Sequence, residues 1–551
     1  MIKMKQVVAV TMALILSSTL MMSCNKKDNV EGDTSQMESN SQEQADKSTE
    51  EKSTPAVLSQ VESLPDEVAI NVDHKRVSVH DPSIVYADGH YYLFGSHMAW
   101  AKSDDLINWE TFKMNINDDY GTLFGKEWAE YCKTDTNPEL GGNLWAPDVI
   151  YNEAMNKYCM YMSVNGDDWN SVIVMLTADN IEGPYEYAGP IVYSGFSTDK
   201  HNVELTDVYQ VLGEGADLTR YQSINNTKIN AIDPCVKYDD NGELWMSFGS
   251  WFGGIYLLKL DANTGLRDYT YTYETVANQS DQYYGFKIAG GFAVSGEGSY
   301  IIKDGDYYYL FLSYGGLTAT GGYQMRIFRS ENIYGPYVDE NGNSAVYTKN
   351  ENNLFAKSGI RIMGSYDWSG SNEIRVAQGH NSVIKTDDGK IFCVYHSRFA
   401  DGKGGNAEAH EVRVQQMFAN ENGWLICAPY EYSGEEISNT GYDMDDMTGD
   451  YELVIHTQTM YYQENDTFGK YGIQQALNIT LNKDGSVTGD KKGTWSYKEG
   501  TSDMTIVIDK VTYTGKFIEM ANEKFYKGGN HKLVMTFSAL GDNVCVWGSK
   551  Q

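Results

Sequence analysis

Internal repetition constrains this chain more than any other feature. Five segments share one pattern: a polar or small leading residue, an apolar run, a turn, and an aromatic-rich second strand. They are DPSIVYADGHYYLFGS from Asp81, APDVIYNEAMNKYCMYMS from Ala146, DPCVKYDDNGELWMSFGS from Asp233, EGSYIIKDGDYYYLFLSY from Glu297 and HNSVIKTDDGKIFCVYHS from His380. Asp88-Gly89, Asn241-Gly242, Asp304-Gly305 and Asp388-Gly389 sit between the two runs, where a hairpin needs residues that accept positive φ. The starts stand 64 to 87 residues apart, which leaves room for a four-stranded sheet plus insertions. Repeated antiparallel sheets of this size build β-propellers. An all-β chain is therefore expected, with a five-bladed β-propeller catalytic domain over residues 67–445. From residue 446 to 551 the pattern changes to a fresh run of alternating strands, which predicts a small antiparallel β-barrel.

Composition agrees and narrows the partners. The 41 Tyr and 53 Gly against 10 Pro suit short strands and tight turns. A net charge of −33 excludes nucleic acid as a partner, because neutralising phosphates takes clustered Lys and Arg. Six cysteines from Cys132 to Cys545 are far apart and form neither a disulfide framework nor a zinc motif. Residues 1–24 read as a secretory signal, with Lys3 and Lys5 ahead of an apolar run that ends in Met-Met-Ser-Cys24. That ending resembles a lipobox, so Cys24 is expected to carry a lipid anchor in a bacterial cell envelope, facing either the periplasm or the outside. Residues 25–66 are acidic and nearly devoid of aromatics, the composition of a disordered tether.

In a propeller the inner strands converge on one axis, which would bring Asp81, Asp233 and Glu297 together with His380. Carboxylates gathered in a cleft repel one another and resist desolvation, so three of them at equivalent positions point to catalysis. With no nucleophilic Ser, Cys/His pair or phosphate loop beside them, the chemistry is that of glycoside hydrolysis, in which one carboxyl protonates the leaving oxygen and another activates water. Asp148 stands two positions into its repeat and is expected to support the cleft. Trp145 and Trp251 are candidates for stacking on sugar faces, with core packing as the competing reading. Arg398 of YHSR is a candidate for either the cleft or a structural ion pair.

The segments VHDPSIV, LWAPDV, NAIDPCV, SGEGSYI and QGHNSV, in this order, resemble glycoside hydrolase family 43 over roughly residues 75–430. Within it they are similar to the extended, two-domain arabinan endo-1,5-α-L-arabinosidases. The resemblance implies an inverting enzyme with arabinan or arabino-oligosaccharides as substrate. It implies Asp81 as general base, Glu297 as general acid, and Asp233 as the carboxylate that keeps Glu297 protonated by like-charge repulsion. It places Asn230, Ala231, Ile232, Ser250, Trp251, Phe252, Ala293 and Gly296 along the substrate subsites. It also implies one calcium ion, held at His380 largely through water; the residues alone would make His380 a channel hydrogen-bonding group. A monomer is expected. Two alternatives remain: an exo-acting arabinofuranosidase or β-xylosidase on the same fold, and a non-catalytic glycan-binding lipoprotein.

Overall fold

The computed structural model describes residues 69–551, except 127–128, 134–139, 167–168, 198–200, 224–226, 293–295, 350–357, 372, 458–470, 525 and 527–528. The signal, the tether and Cys24 lie outside the described residues.

Each repeat folds as the hairpin its turn residues dictate, extended by two outer strands. In the first repeat Ala87 pairs with His90 across Asp88 and Gly89, whose φ values of 52° and 87° suit Asp and Gly. Its sheet comprises Ser83–Ala87, His90–Gly95, Ala99–Ser103 and Trp109–Phe112. The second comprises Leu144–Asn152, Lys157–Val164, Val172–Ala178 and Glu186–Tyr193. The third is built on Cys235–Tyr238, Leu244–Phe248, Ile255–Leu260 and Gly285–Ala289, with Ser280–Asp281 at its edge. The fifth comprises Arg375–Lys385, Ile391–Phe399, His410–Ala419 and Leu425–Cys427. Apolar faces pack between neighbours. Phe94 and Trp100 share a core with Val149 and Met160, while Val79 and Leu93 join Val394 and Val412 across the seam between first and fifth repeats. Each such side chain, fully buried, contributes roughly 1.5–3 kcal/mol.

The expected count of five blades is corrected to four free-standing ones. The strands of the fourth repeat, Glu297–Asp304, Tyr307–Tyr314, Gln324–Ser330 and Ile360–Met363, are the end of a 13-stranded sheet. Their outer strand pairs in parallel with the last strand of the chain through Arg361 and Val544. A sequence pattern marks hairpins but cannot show that a blade's outer edge is taken by a strand about 180 residues further on.

The C-terminal strands close on themselves. Gly449–Ile455 pairs with Leu477–Leu481, and the meander continues through Ser486–Gly489, Gly493–Tyr497, Asp503–Ile508, Val511–Ala521 and His531–Gly541. Val544–Lys550 then pairs with both His531–Gly541 and Gly449–Ile455, which completes a barrel of alternating inward apolar residues such as Leu453, Ile506 and Phe537. The strand Ala69–Ile70 is held against the same barrel, opposite Lys532 and His531.

Candidate active site

The leading residues of the repeats share one backbone conformation. Asp81, Ala146, Asp233 and His380 have φ values of 53°, 39°, 58° and 48°. Non-glycine residues there cost ~1–3 kcal/mol each and persist where the surroundings hold them. The fourth repeat has Gly298 at this place, with φ 59°. Glu297 therefore stands one residue ahead of the equivalent position, not on it. Gly298, and not Glu297, lines the axial cavity together with Asp81, Ala146, Asp233 and His380.

Side chains in or directly after four of the five second strands hold leading residues by their backbone N–H groups, while the Gly298 N–H is held by Asp233 itself. Ser96 Oγ accepts from Ala146 at 2.8 Å, Ser163 Oγ from Asp233 at 3.1 Å, and Ser313 Oγ from His380 at 2.7 Å. His396 Nδ1 accepts from Asp81 at 3.3 Å, which closes the ring.

Asp81 is surrounded by donors. Its Oδ2 accepts from Ser96 Oγ at 2.5 Å and from His80 Nδ1 at 2.7 Å, and its Oδ1 faces His380 Nδ1 at 3.0 Å. His80 Nε2 lies 3.1 Å from an Arg398 guanidinium nitrogen. A guanidinium only donates, so Nε2 accepts and the His80 proton sits on Nδ1, aimed at Asp81. Arg398 is fixed in turn by the Leu317 carbonyl at 2.6 Å and by Glu408 at 3.4 Å. It therefore acts on the site through His80. Burial alone would raise the Asp81 pKa, but His380 and His80 outweigh it and hold the carboxyl well below the usual range. The same contact works on His380: burial opposes its charge, yet Asp81 and Asp233 push it up to about 9.

Glu297 has the opposite character. Tyr323 donates to Oε1 at 2.9 Å, Trp251 Nε1 to Oε2 at 2.6 Å, and Ser250 Oγ to Oε2 at 3.2 Å. Burial nevertheless wins and raises its pKa. Asp233, buried and accepting from the Gly298 N–H at 3.0 Å, is pushed up to about 7, first by burial and then by the Glu297 and Asp81 charges against the pull of His380. Desolvation, rather than a neighbouring carboxylate, is thus the leading cause of the upward shift at Glu297.

The remaining sequence candidates divide. Ser250 and Trp251 touch Glu297 directly, Trp251 through the N–H at its ring edge. Phe252 packs at 4.6 Å from Trp169, over which Lys228 lies at 4.3 Å. Gly296, with φ 148°, accepts the Trp251 N–H through its carbonyl at 2.9 Å. Asn230 is tied to Asn165 at 2.7 Å and Ser171 at 2.5 Å, and Ala231 is fully buried. Ile232 is buried and accepts from the Gly249 N–H. Trp145 is half-buried at the start of its strand, paired with Ser163. Ala293 lies outside the described residues. Asp148 bridges sheets, accepting from Ser83 Oγ at 2.5 Å and the Val236 N–H at 2.7 Å. Sequence reasoning missed Ser96, His80, His396 and Tyr323. The serine was legible: the quoted second strands end in FGS, YMS, FLS or YHS.

Two carboxyls at the axis of a β-propeller, one shifted towards the ionised form and the other towards the protonated form, are the apparatus of a glycosidase. The chain belongs to glycosyl hydrolases family 43, whose sequence profile matches residues 75–425, and a C-terminal lipocalin-like domain profile matches residues 429–548. It is 35% identical over 496 residues to extracellular endo-alpha-(1→5)-L-arabinanase 2 of Bacillus subtilis, covering 86% of this chain and 93% of that one. It is 36% identical over 480 residues to the extracellular endo-alpha-(1→5)-L-arabinanase of Thermotoga petrophila, covering 85% and 93%. The crystal structure of endo-1,5-alpha-L-arabinanase from Thermotoga petrophila superposes with a TM-score of 0.71 at 34% identity, over 87% of this chain and all of that one.

Proposed function

We propose that this chain is a secreted, inverting glycosidase that cuts internal α-1,5 linkages of arabinan. One observation carries the chemistry: two part-buried carboxyls at the propeller axis are shifted in opposite directions, Asp81 down and Glu297 up. Asp81, ionised by its histidine donors, takes a proton from water as that water attacks the anomeric carbon. Glu297, shifted towards its protonated form by burial, gives its proton to the departing sugar oxygen. Asp233 orients the site from below. Extracellular arabinanases that align over most of this chain support the substrate, the endo action and the secretion.

The family also implies calcium at His380. The cavity beside it is lined by Asp81, Asp233, Ser299, His380 and Asn381. The buried Asn381 amide has no hydrogen-bond partner on either its oxygen or its nitrogen. Oxygen donors and an unpartnered amide beside carboxylates fit a hard cation that keeps its waters. His380 and Asn381 would hold it, and bound there it would supply positive charge to the carboxylate cluster. Elemental analysis of the purified chain tests this: one calcium per chain supports it, and none refutes it.

The function is tested on linear 1,5-arabinan. A fast viscosity fall with mixed oligosaccharides ahead of arabinose supports endo action. Arabinose accumulating first, with polymer length nearly unchanged, overturns it in favour of exo cleavage. Proton NMR of the first product anomer distinguishes inversion from retention.

A further inference from the structure

Outside the active site, the third-repeat strand Gly285–Ala289 forms part of the wall of a cleft of about 1070 Å³. Its most unusual lining residue is Lys287. The side chain is only 6% exposed, yet among the described residues no hydrogen bond or ion pair reaches its Nζ. The amine lies over Gly291, where a Cβ would come within 2.5 Å of Nζ. A buried ammonium without a counter-charge is a cost that a fold sheds unless something compensates it. Burial accordingly pulls this lysine down to about 8.

The remaining lining says what could compensate. Among the described residues no Asp or Glu lines the cleft, although the chain carries a net charge of −33. Phe286 and the 49%-exposed Tyr334 stand with ring centroids 5.6 Å apart at its edge. Asn278 and Gln279 line it as well, beside serine and threonine hydroxyls. An apolar acid would leave these amides and hydroxyls unsatisfied. A phosphate would meet Lys287 and the exposed Lys349 but, among the described lining residues, none of the guanidinium forks that favour phosphate. Aromatic edges, amides and one desolvated cation match a ring bearing hydroxyls and a carboxylate. The volume exceeds that of a single sugar and reaches the upper end of ligand clefts.

We propose that this cleft is a second, non-catalytic carbohydrate site that takes an acidic oligosaccharide, with a uronate carboxylate paired to Lys287. The inference is independent of the arabinan reading, because it is a statement about binding and not turnover.

Isothermal titration of the full chain with trigalacturonate, and with its neutral trimethyl ester, tests it. The acid is expected to bind one to one, and the ester about 10- to 100-fold more weakly, the range for losing a hydrogen-bonded charge pair. Lys287→Met should reduce binding of the acid to that of the ester. It removes a buried unpartnered charge, so its unfolding midpoint should be no lower and its arabinan hydrolysis unchanged. Tyr334→Ala, at an exposed position harmless to the fold, should weaken both ligands. Absence of binding at millimolar trigalacturonate overturns the proposal. So does equal binding of acid and ester, or unchanged binding by either variant.

Discussion

Replacing Tyr323 by Phe removes one oxygen and little else. The ring is buried, is wedged against Gly379 where a Cβ would come within 2.2 Å of it, and stacks at 6.1 Å on His396. All of that packing survives the substitution. What disappears is the 2.9 Å hydrogen bond to Glu297 Oε1. Such a bond is worth ~1.5–3 kcal/mol to a carboxylate and ~0.5–1.5 kcal/mol to a neutral partner. The difference, about 1–1.5 kcal/mol, favours the ionised form and corresponds to about one pH unit. Without it Glu297 keeps its proton to higher pH, so the alkaline limb of kcat/KM should move up by about one unit. The plateau should fall by up to about tenfold, because the carboxylate that develops in the transition state has lost a donor. The acid limb belongs to Asp81, which Tyr323 does not touch, and should stay in place. Initial rates on linear arabino-oligosaccharides across the pH profile measure all three. An alkaline limb that stays fixed or moves down would refute Glu297 as the acid, or Tyr323 as its modulator.

Glu297→Gln and Asp81→Asn should each lower kcat by about 10²–10⁴ with unfolding midpoints little changed, as steady-state rates and calorimetry would reveal. Asp148→Ala should instead destabilise by about 2–5 kcal/mol, because two buried donors, on Ser83 and Val236, lose their acceptor; an altered pH profile would contradict its purely structural role. Glu431 is buried among Arg76, Arg375 and Arg413. Burial works against its charge, but Arg413, His74 and Arg76 hold its carboxyl far below the ordinary range. A depressed folded-state pKa adds stability above the unfolded value of about 4.5, and that stability is lost as pH falls further. Glu431→Gln should therefore cost ~3–5 kcal/mol at neutral pH, and its denaturation curve should converge on the wild type in acid; a constant difference at all pH values would count against the ion cluster.

The repeats were legible because each carries its own local chemistry: an apolar run, a turn dipeptide with φ above zero, and an aromatic second strand. The same local cues revealed Asp81, Asp233 and His380, which sit at the kink where each inner strand begins. Glu297 looked like their equal, yet Gly298 occupies the shared position. A glycine at that kink carries no side chain to mark it, so the acid beside it takes its place in the pattern. Tyr323 and His80 could not be ranked from spacing, since their roles come from contacts across 26 and 318 residues of chain. The blade count failed for a related reason: pairing between Arg361 and Val544 is invisible to any local pattern.

That pairing also sets an order of events during synthesis. The strand Ile360–Met363 leaves the ribosome with one edge open, and its partner Val544–Lys550 is made at the very end of the chain. At ~5–20 residues per second, the intervening stretch of about 180 residues takes roughly 10–40 s to appear. The strand Ala69–Ile70 waits longer still for His531 and Lys532. Through that interval the nascent chain carries unpaired backbone on two strands, the kind of edge that recruits a neighbouring chain. A transcript cut short within the barrel would therefore release a polypeptide with its catalytic carboxyls already made but its outer edge permanently sticky.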